Sequence, residues 1–226
     1  METKSVTSSL REYCKKHPRE VFDVELMNRS YPDTTPSAFR KFVSRLVEEG
    51  ILTPASKGVY VIGNDLSQDD IYRVVKKHYI YPFDRPLKES LLYELGIIDE
   101  KPEIETYSKI WPRGNRNILN LRIVEGKNTS LREAGCREKV ILLDLIDAEK
   151  CVPDDEEIKM NYSVKLAEML LNYKEVDYIF EPEIEYSRII YIKLANLLDS
   201  MHISNRVIEY YENKLKDTNR QKWDRI

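Results

Sequence analysis

Glycine is scarce in this chain, with 7 among 226 residues. That leaves little material for the tight turns that cradle phosphates. No Walker loop and no GxGxxG, HExxH or GxSxG pattern occurs. The three cysteines, Cys14, Cys136 and Cys151, are odd in number and widely spaced, and no pair has CxxC spacing. Neither a zinc ribbon nor a redox motif is supported, and Cys14 and Cys136 read as small buried residues. His17, His78 and His202 stand apart from one another and from cysteine. No apolar run is long enough to span a bilayer, and no apolar leader stands at the N-terminus. The expectation is a reduced, cytoplasmic protein without membrane, metal or cofactor. The net charge of −3 also lacks the basic excess of a general nucleic-acid binder.

What is present is enough apolar material for a core, 42% of the chain, with 33% charged residues and 15 tyrosines. The length suits one large domain or two small ones. Charge divides unevenly: residues 1–63 carry 10 Lys and Arg against 8 Asp and Glu, and the remainder carries 26 against 31. A mildly basic head on an acidic body suits a module that touches DNA at one end, although ordinary surface charge gives the same split.

The segment Thr35–Gly63, TPSAFRKFVSRLVEEGILTPASKGVYVIG, carries most of the information. Phe39, Phe42, Val43, Leu46 and Val47 recur with helical spacing, the stripe of an amphipathic helix. Thr35 caps it, Pro36 takes the first position, where its missing N–H costs nothing, and Gly50 ends it. Ile51–Pro54 and Val59–Ile62 read as short strands joined by a tip, Ala55–Gly58. Upstream, Ser5–His17 reads as a helix with Val6, Leu10, Tyr13, Cys14 and His17 on one face. Asp23 caps a short helix through Asn28, with Phe22 and Leu26 turned inward. Helix, helix, helix, strand, strand is the order of a winged helix-turn-helix.

Such a module sets its third helix in the major groove, where base edges differ. Thr35 and Ser37 lie at the helix N-terminus, whose amides also suit a phosphate. Arg40, Lys41, Ser44 and Arg45 lie along its exposed side. Arg40 or Lys41 suits guanine O6 and N7; Ser37 or Ser44 suits a base edge or a phosphate. Lys57 at the hairpin tip suits a phosphate or the minor groove. A solvated basic face is the simpler reading, and Glu48 and Glu49 dilute its charge. A winged helix can also serve as a protein-interaction scaffold. One copy of such a face binds weakly, so a homodimer or a toxin-linked assembly is expected if DNA is the target.

The expected fold class is α+β: a winged helix over residues 1–63, a mixed α/β domain over 64–150 and a helical region over 151–226. Gly63-Asn64-Asp65 marks the first boundary. Ser67 caps a helix through Tyr79 with Ile71, Val74, Val75 and His78 on one face, His78 being buried or snorkelling. A helix spans Arg85–Leu95 and stops at Gly96. Ile104–Ile110 and Ile118–Val124 read as strands. Arg137–Lys150 is an apolar helix. Asp154 and Asp155 open another, with Val164, Leu166, Ala167, Leu170 and Leu171 on its apolar face. Helices near Glu183–Met201 and Ser204–Lys216 follow.

Enzyme signals are thin. Asp144 and Asp147, with Glu149 near, could hold a metal, but on an apolar helix they read as its solvent face. Trp111, Arg113 and Arg116 set an aromatic among cations, a form that suits nucleic acid or a protein partner; a solvated hairpin turn is the simpler reading. The chain is not expected to be an enzyme.

Residues Arg45-Leu46-Val47, Gly50-Ile51-Leu52 and Gly58-Val59-Tyr60 make the N-terminal segment resemble the winged helix of AbiEi-type antitoxins, from bacterial type IV abortive-infection toxin–antitoxin systems. Trp111–Val124 resembles the strand pair of that family's second domain, and Cys136–Lys150 the helix after it. The family's small-residue segment is not evident; Leu87–Ile98 stands in its place, and nothing from Asp154 onward matches. The resemblance implies a DNA-binding transcriptional regulator that represses its own operon and counters a nucleotidyltransferase-like toxin. The alternative is a winged-helix scaffold without DNA binding.

Overall fold

The computed structural model describes residues 5–82, 84–109, 115–125, 136–172, 186–209 and 211–213. The fold is α+β. The chain groups into two compact units, Met1–Phe83 with Arg116–Arg122, and Asp84–Asn115 with Ile123–Ile226.

In the first unit, α1 (Val6–Lys16) starts at Ser5, whose side chain accepts from Ser8 N–H. Strand β1 (Val21–Asp23) leads straight into α2 (Val24–Asn28), with Asp23 as its N-cap. Strand β1 was not foreseen from sequence. Helix α3 (Pro36–Glu48) has Thr35 as N-cap and Pro36 in its first turn. It ends in a Schellman motif: Gly50 at φ +68° lets Ile51 N–H reach Leu46 O and Gly50 N–H reach Val47 O. Strands β2 (Leu52–Ser56) and β3 (Val59–Ile62) follow, and the sheet order is β1-β3-β2, antiparallel throughout. Pro54 is tolerated because β2 is an edge strand, and the register shifts between Pro54 and Ser56. The tip is therefore Lys57-Gly58, shorter than expected, with Gly58 at φ +77°. Its Gly58 carbonyl accepts from Val24 N–H at 2.9 Å, tying the tip to α2.

Leu10, Cys14, Phe22, Phe39, Val43, Leu46, Leu52 and Ile62 form the core beneath α1 and α3. Phe42 and Val47 pack at its margin, half-buried. Helix α4 (Gln68–Tyr79), capped by Ser67, packs on all three strands of this sheet. The unit thus runs past the boundary expected at Gly63. The buried stripe of α4 is Ile71, Val75 and Tyr79, one strict i, i+4, i+8 row; His78 is exposed, against expectation.

In the second unit, the expected Arg85–Leu95 helix is shortened to α5 (Glu89–Glu94), and Arg85–Pro86 form β4. Pro86 disfavours helical geometry at Arg85, and Lys88 lies at φ +56°. Strand β5 (Glu105–Lys109) pairs antiparallel with β4. The strand expected over Ile118–Val124 is instead a hairpin of β6 (Arg116–Ile118), which groups with the first unit, and β7 (Leu121–Glu125), because Leu119 at φ +53° turns the chain.

Helices α6 (Cys136–Ala148), α7 (Glu156–Asn172) and α8 (Arg188–Ser200) contribute to one apolar core with Leu91, Leu92 and Ile97. The expected break at residues 150 and 151 does not divide that core. On α7 the buried face is Tyr162, Leu166 and Leu170, while Val164 and Leu171 are exposed. The Ser204–Lys216 segment lies partly outside the described residues. Among those described, no helix is long and apolar enough to cross a membrane.

Candidate nucleic-acid interface

The amphipathic stripe sets which side of α3 faces solvent. With Phe39, Val43 and Leu46 buried, Ser37, Arg40, Lys41, Ser44 and Arg45 are all exposed, as are Thr35 and Lys57. The helix terminus offers less than expected for a phosphate. Pro36 has no N–H, Ala38 N–H donates to Thr35 Oγ1, and Phe39 N–H donates to the Thr35 carbonyl. The amide left over at this end is that of Ser37. The Ser44 hydroxyl donates to the Arg40 carbonyl at 3.1 Å, a back-bond within the helix that leaves its lone pairs as acceptors. The Arg45 guanidinium lies 5.9 Å from the Phe42 ring centroid. Glu49, expected to dilute the face, is engaged by Arg11, which donates through Nε at 2.9 Å and through Nη2 at 2.5 Å.

Three of the expected residues share a concavity of about 880 Å³: Arg40 and Ser44 of α3, and Lys57 at the hairpin tip. Thr35, Ser37, Lys41 and Arg45 lie outside its lining. Val24, Glu25 and Asn28 of α2 also line it, as do Arg116, Asn117 and Ile118 of β6. Asn28 belongs to the lining, and its Oδ1 is buried without a protein partner.

Asp23 also lines the concavity and holds its neighbours together. Its Oδ1 accepts from Glu25 and Leu26 N–H, capping α2. Its Oδ2 accepts from Tyr79 Oη at 2.6 Å and from Arg116 Nη1 at 2.7 Å. Arg116 also donates to Glu25 at 3.2 Å and lies 5.9 Å from the Tyr79 ring centroid. Burial pushes the Asp23 carboxyl up, but the bonds from Tyr79, Arg116 and Leu26 N–H outweigh it and hold the group below the ordinary carboxylate value. Sequence reasoning found Asp23 as a cap and nothing more. Tyr79 and Arg116 are 56 and 93 residues away, so no spacing joins them. Arg116, read as part of a solvated turn, is instead a strand residue with two carboxylate partners. Trp111 and Arg113 of that motif lie outside the described residues.

The second unit buries charge as well. Asp144, expected on a solvent face, is buried and accepts from Arg85 and from Tyr186 Oη, the latter at 2.8 Å. Burial pushes its carboxyl up to about 6, with Arg85 and Tyr186 pulling the other way. Asp147 is exposed and pairs with Lys150, so the two carboxylates do not converge on a metal. Strand β5 is buried at every position although its sequence is ETYSK. Lys109 lies 3.5 Å from Asp84, and Glu105 lies 2.6 Å from Lys101. Tyr107 Oη lies 3.0 Å from Glu105 and 3.1 Å from Glu94, and its single proton serves one at a time. The partners of these charges named here are other residues of the second unit, an arrangement that stabilises its fold. Among the described residues, no three His, Cys, Asp or Glu groups could together hold a metal ion.

Set against known proteins, the chain matches no family model and no curated sequence.

Proposed function

We propose that the first unit works as a winged helix that binds duplex DNA, with α3 in the major groove and the Lys57-Gly58 tip at the neighbouring backbone or minor groove. The observation that carries this reading is the grouping of Arg40, Ser44 and Lys57 around one concavity, with Ser37, Lys41 and Arg45 exposed on the same helix. Arg40 and Lys41 are suited to guanine edges, the serines to a base edge or a phosphate, and Lys57 to a phosphate.

On this reading the chain is a cytoplasmic transcriptional regulator of the antitoxin type and not an enzyme. It represses its own operon as a homodimer and counters a nucleotidyltransferase-like toxin; the resemblance to AbiEi-type antitoxins supplies that part. Binding to the chain's own upstream region, followed by fluorescence anisotropy, tests the DNA step. Arg40→Ala with Lys41→Ala is expected to abolish preference for that region over unrelated duplex, and added salt to weaken wild-type binding. Equal binding by the double variant would refute the recognition-helix assignment. A neighbouring gene for a nucleotidyltransferase-like protein tests the antitoxin step.

A second reading is a winged-helix scaffold for a protein partner. The exposed carboxylate of Glu25 in the lining of the groove favours it. It predicts no affinity for duplex DNA at any salt concentration.

A further inference from the structure

Only part of the groove belongs to the helix and the tip proposed to enter DNA. The part of its lining supplied by β6 comes from sequence more than fifty residues beyond the hairpin. In a duplex, neighbouring major and minor grooves are separated by a single sugar–phosphate strand. A helix in one groove and a hairpin tip at the next must straddle that strand. The space between Arg40 and Ser44 on one side and Lys57 on the other is where it would run.

We propose that this groove holds the sugar–phosphate strand of duplex DNA, with Asn117 of β6, which also lines the groove, in contact with the strand. The inference rests on the DNA reading and adds to it a contact that no winged-helix pattern in the sequence supplies.

Charge favours this occupant. Among the described residues neither Arg40 nor Lys57 has an ion pair. The two carboxylates in the lining are neutralised by the protein: Asp23 by Arg116 at 2.7 Å, and Glu25 by Arg116 at 3.2 Å and Arg29 at 2.9 Å. Arg116 is thus a positioning residue that cancels negative charge beside the strand. Asn117 is exposed next to it, with an amide able to donate to a phosphate oxygen.

Asn117 is also a safe place to change charge. The test uses the full chain carrying Asn117→Lys or Asn117→Glu. Matched controls are Asn64→Lys and Asn64→Glu, at the exposed turn after β3, the opposite end of that strand from the hairpin tip. Each is titrated by anisotropy against its own upstream duplex and an unrelated duplex of equal length, at several salt concentrations. Phosphate contacts carry no sequence information, so both duplexes should respond alike. Asn117→Lys should steepen the dependence of log K on log salt by about 0.9, one added phosphate contact. Asn117→Glu should weaken both complexes about tenfold, and the Asn64 pair should shift neither by more than about twofold.

Equal shifts from the Asn117 and Asn64 pairs would overturn the inference, since net charge alone would then explain them. So would unchanged binding by both Asn117 variants while Arg40→Ala with Lys41→Ala loses it; the recognition helix would then stand without this groove. Wild-type binding by the Arg40 and Lys41 double variant would remove the DNA reading and the inference together.

Discussion

Replacing Asp23 should damage the first unit far more than losing a helix cap does. Both carboxylate oxygens are in use, and the residue is 4% exposed. Asp23→Ala removes the cap of α2, at about 1 kcal/mol. It leaves the Tyr79 hydroxyl without this acceptor, at about 1–3 kcal/mol, and removes one charged bond to Arg116, at about 1.5 kcal/mol since Glu25 still holds that side chain. The sum is roughly 4 kcal/mol. Asp23→Asn keeps the cap through Oδ1 but turns an NH₂ toward two donors, and should cost about 3 kcal/mol. Tyr79→Phe leaves three donors on the carboxylate and should cost about 1 kcal/mol. Urea unfolding followed by circular dichroism reads the total. Hydrogen exchange of the peptides covering α2 and α3 confines the change to the first unit. The pH dependence has a defined sign. The folded carboxyl lies below its ordinary value of 3.8, so its contribution is fully present above that pH and is lost as pH falls through the folded value. The gap between wild type and Asp23→Asn should therefore be constant at neutral pH and close below about pH 3.8. A cost under about 1 kcal/mol for Asp23→Ala, or a gap that stays open in acid, would refute the claim that this carboxylate organises the unit.

Two further outcomes follow from the second unit and from the thiols. Arg85→Met strands a buried Asp144 and should destabilise by about 3–5 kcal/mol at neutral pH, whereas Arg85→Met with Asp144→Leu should recover most of the loss. Arg85 pulls the Asp144 carboxyl down toward about 6, so without it the carboxyl titrates higher, and the single variant's penalty should shrink as pH falls toward 6 and stay level below it. Thermal melts of the three proteins at pH 8 and pH 5 check this, and a double variant no better than the single one would contradict it. Burial pushes the Cys14 thiol up to about 11, and the side chain is 3% exposed. Peptide mapping after a thiol-reactive label at pH 8 should find Cys14 unmodified in the folded protein and modified in urea.

The first unit was legible because its signals are local. Thr35 before Pro36, the apolar row from Phe39 to Val47, and Gly50 at the helix end each act within a few residues of the structure they specify. The cap at Asp23 was readable for the same reason. Strand β1 was not, since Val21–Asp23 is too short to show alternation and exists through its pairing with β3. In the second unit, Pro86 was a local signal against a helix at Arg85, and the helical spacing downstream overrode it. Strand β5 carries no apolar alternation to betray its burial; it is buried because Lys101, Glu94 and Asp84 supply partners for its charged and polar groups. The concavity was half readable: Arg40, Ser44 and Lys57 follow from helix phase and turn position, while Arg116 and Asn117 do not.

Asp23 and Asp144 show why a carboxylate's role is hard to read from its neighbours in sequence. Asp144 sits in the middle of an apolar helix, where a charged residue is ordinarily the solvent face, and its burial depends on Arg85, 59 residues earlier, and Tyr186, 42 later. Asp23 precedes a helix, where a cap is expected and is found, yet capping uses only one of its oxygens. In both cases the deciding partner is a distant arginine, because burying a carboxylate without one is prohibitive. For the first unit this has a structural consequence. The bonding of Asp23 is completed by Tyr79 from α4 and Arg116 from β6, so neither residues 1–63 nor residues 1–83 contain every group that Asp23 requires. Asp23 and Arg116 line the groove beside the face proposed to meet DNA, so the geometry of that face belongs to a unit assembled from two separate stretches of chain.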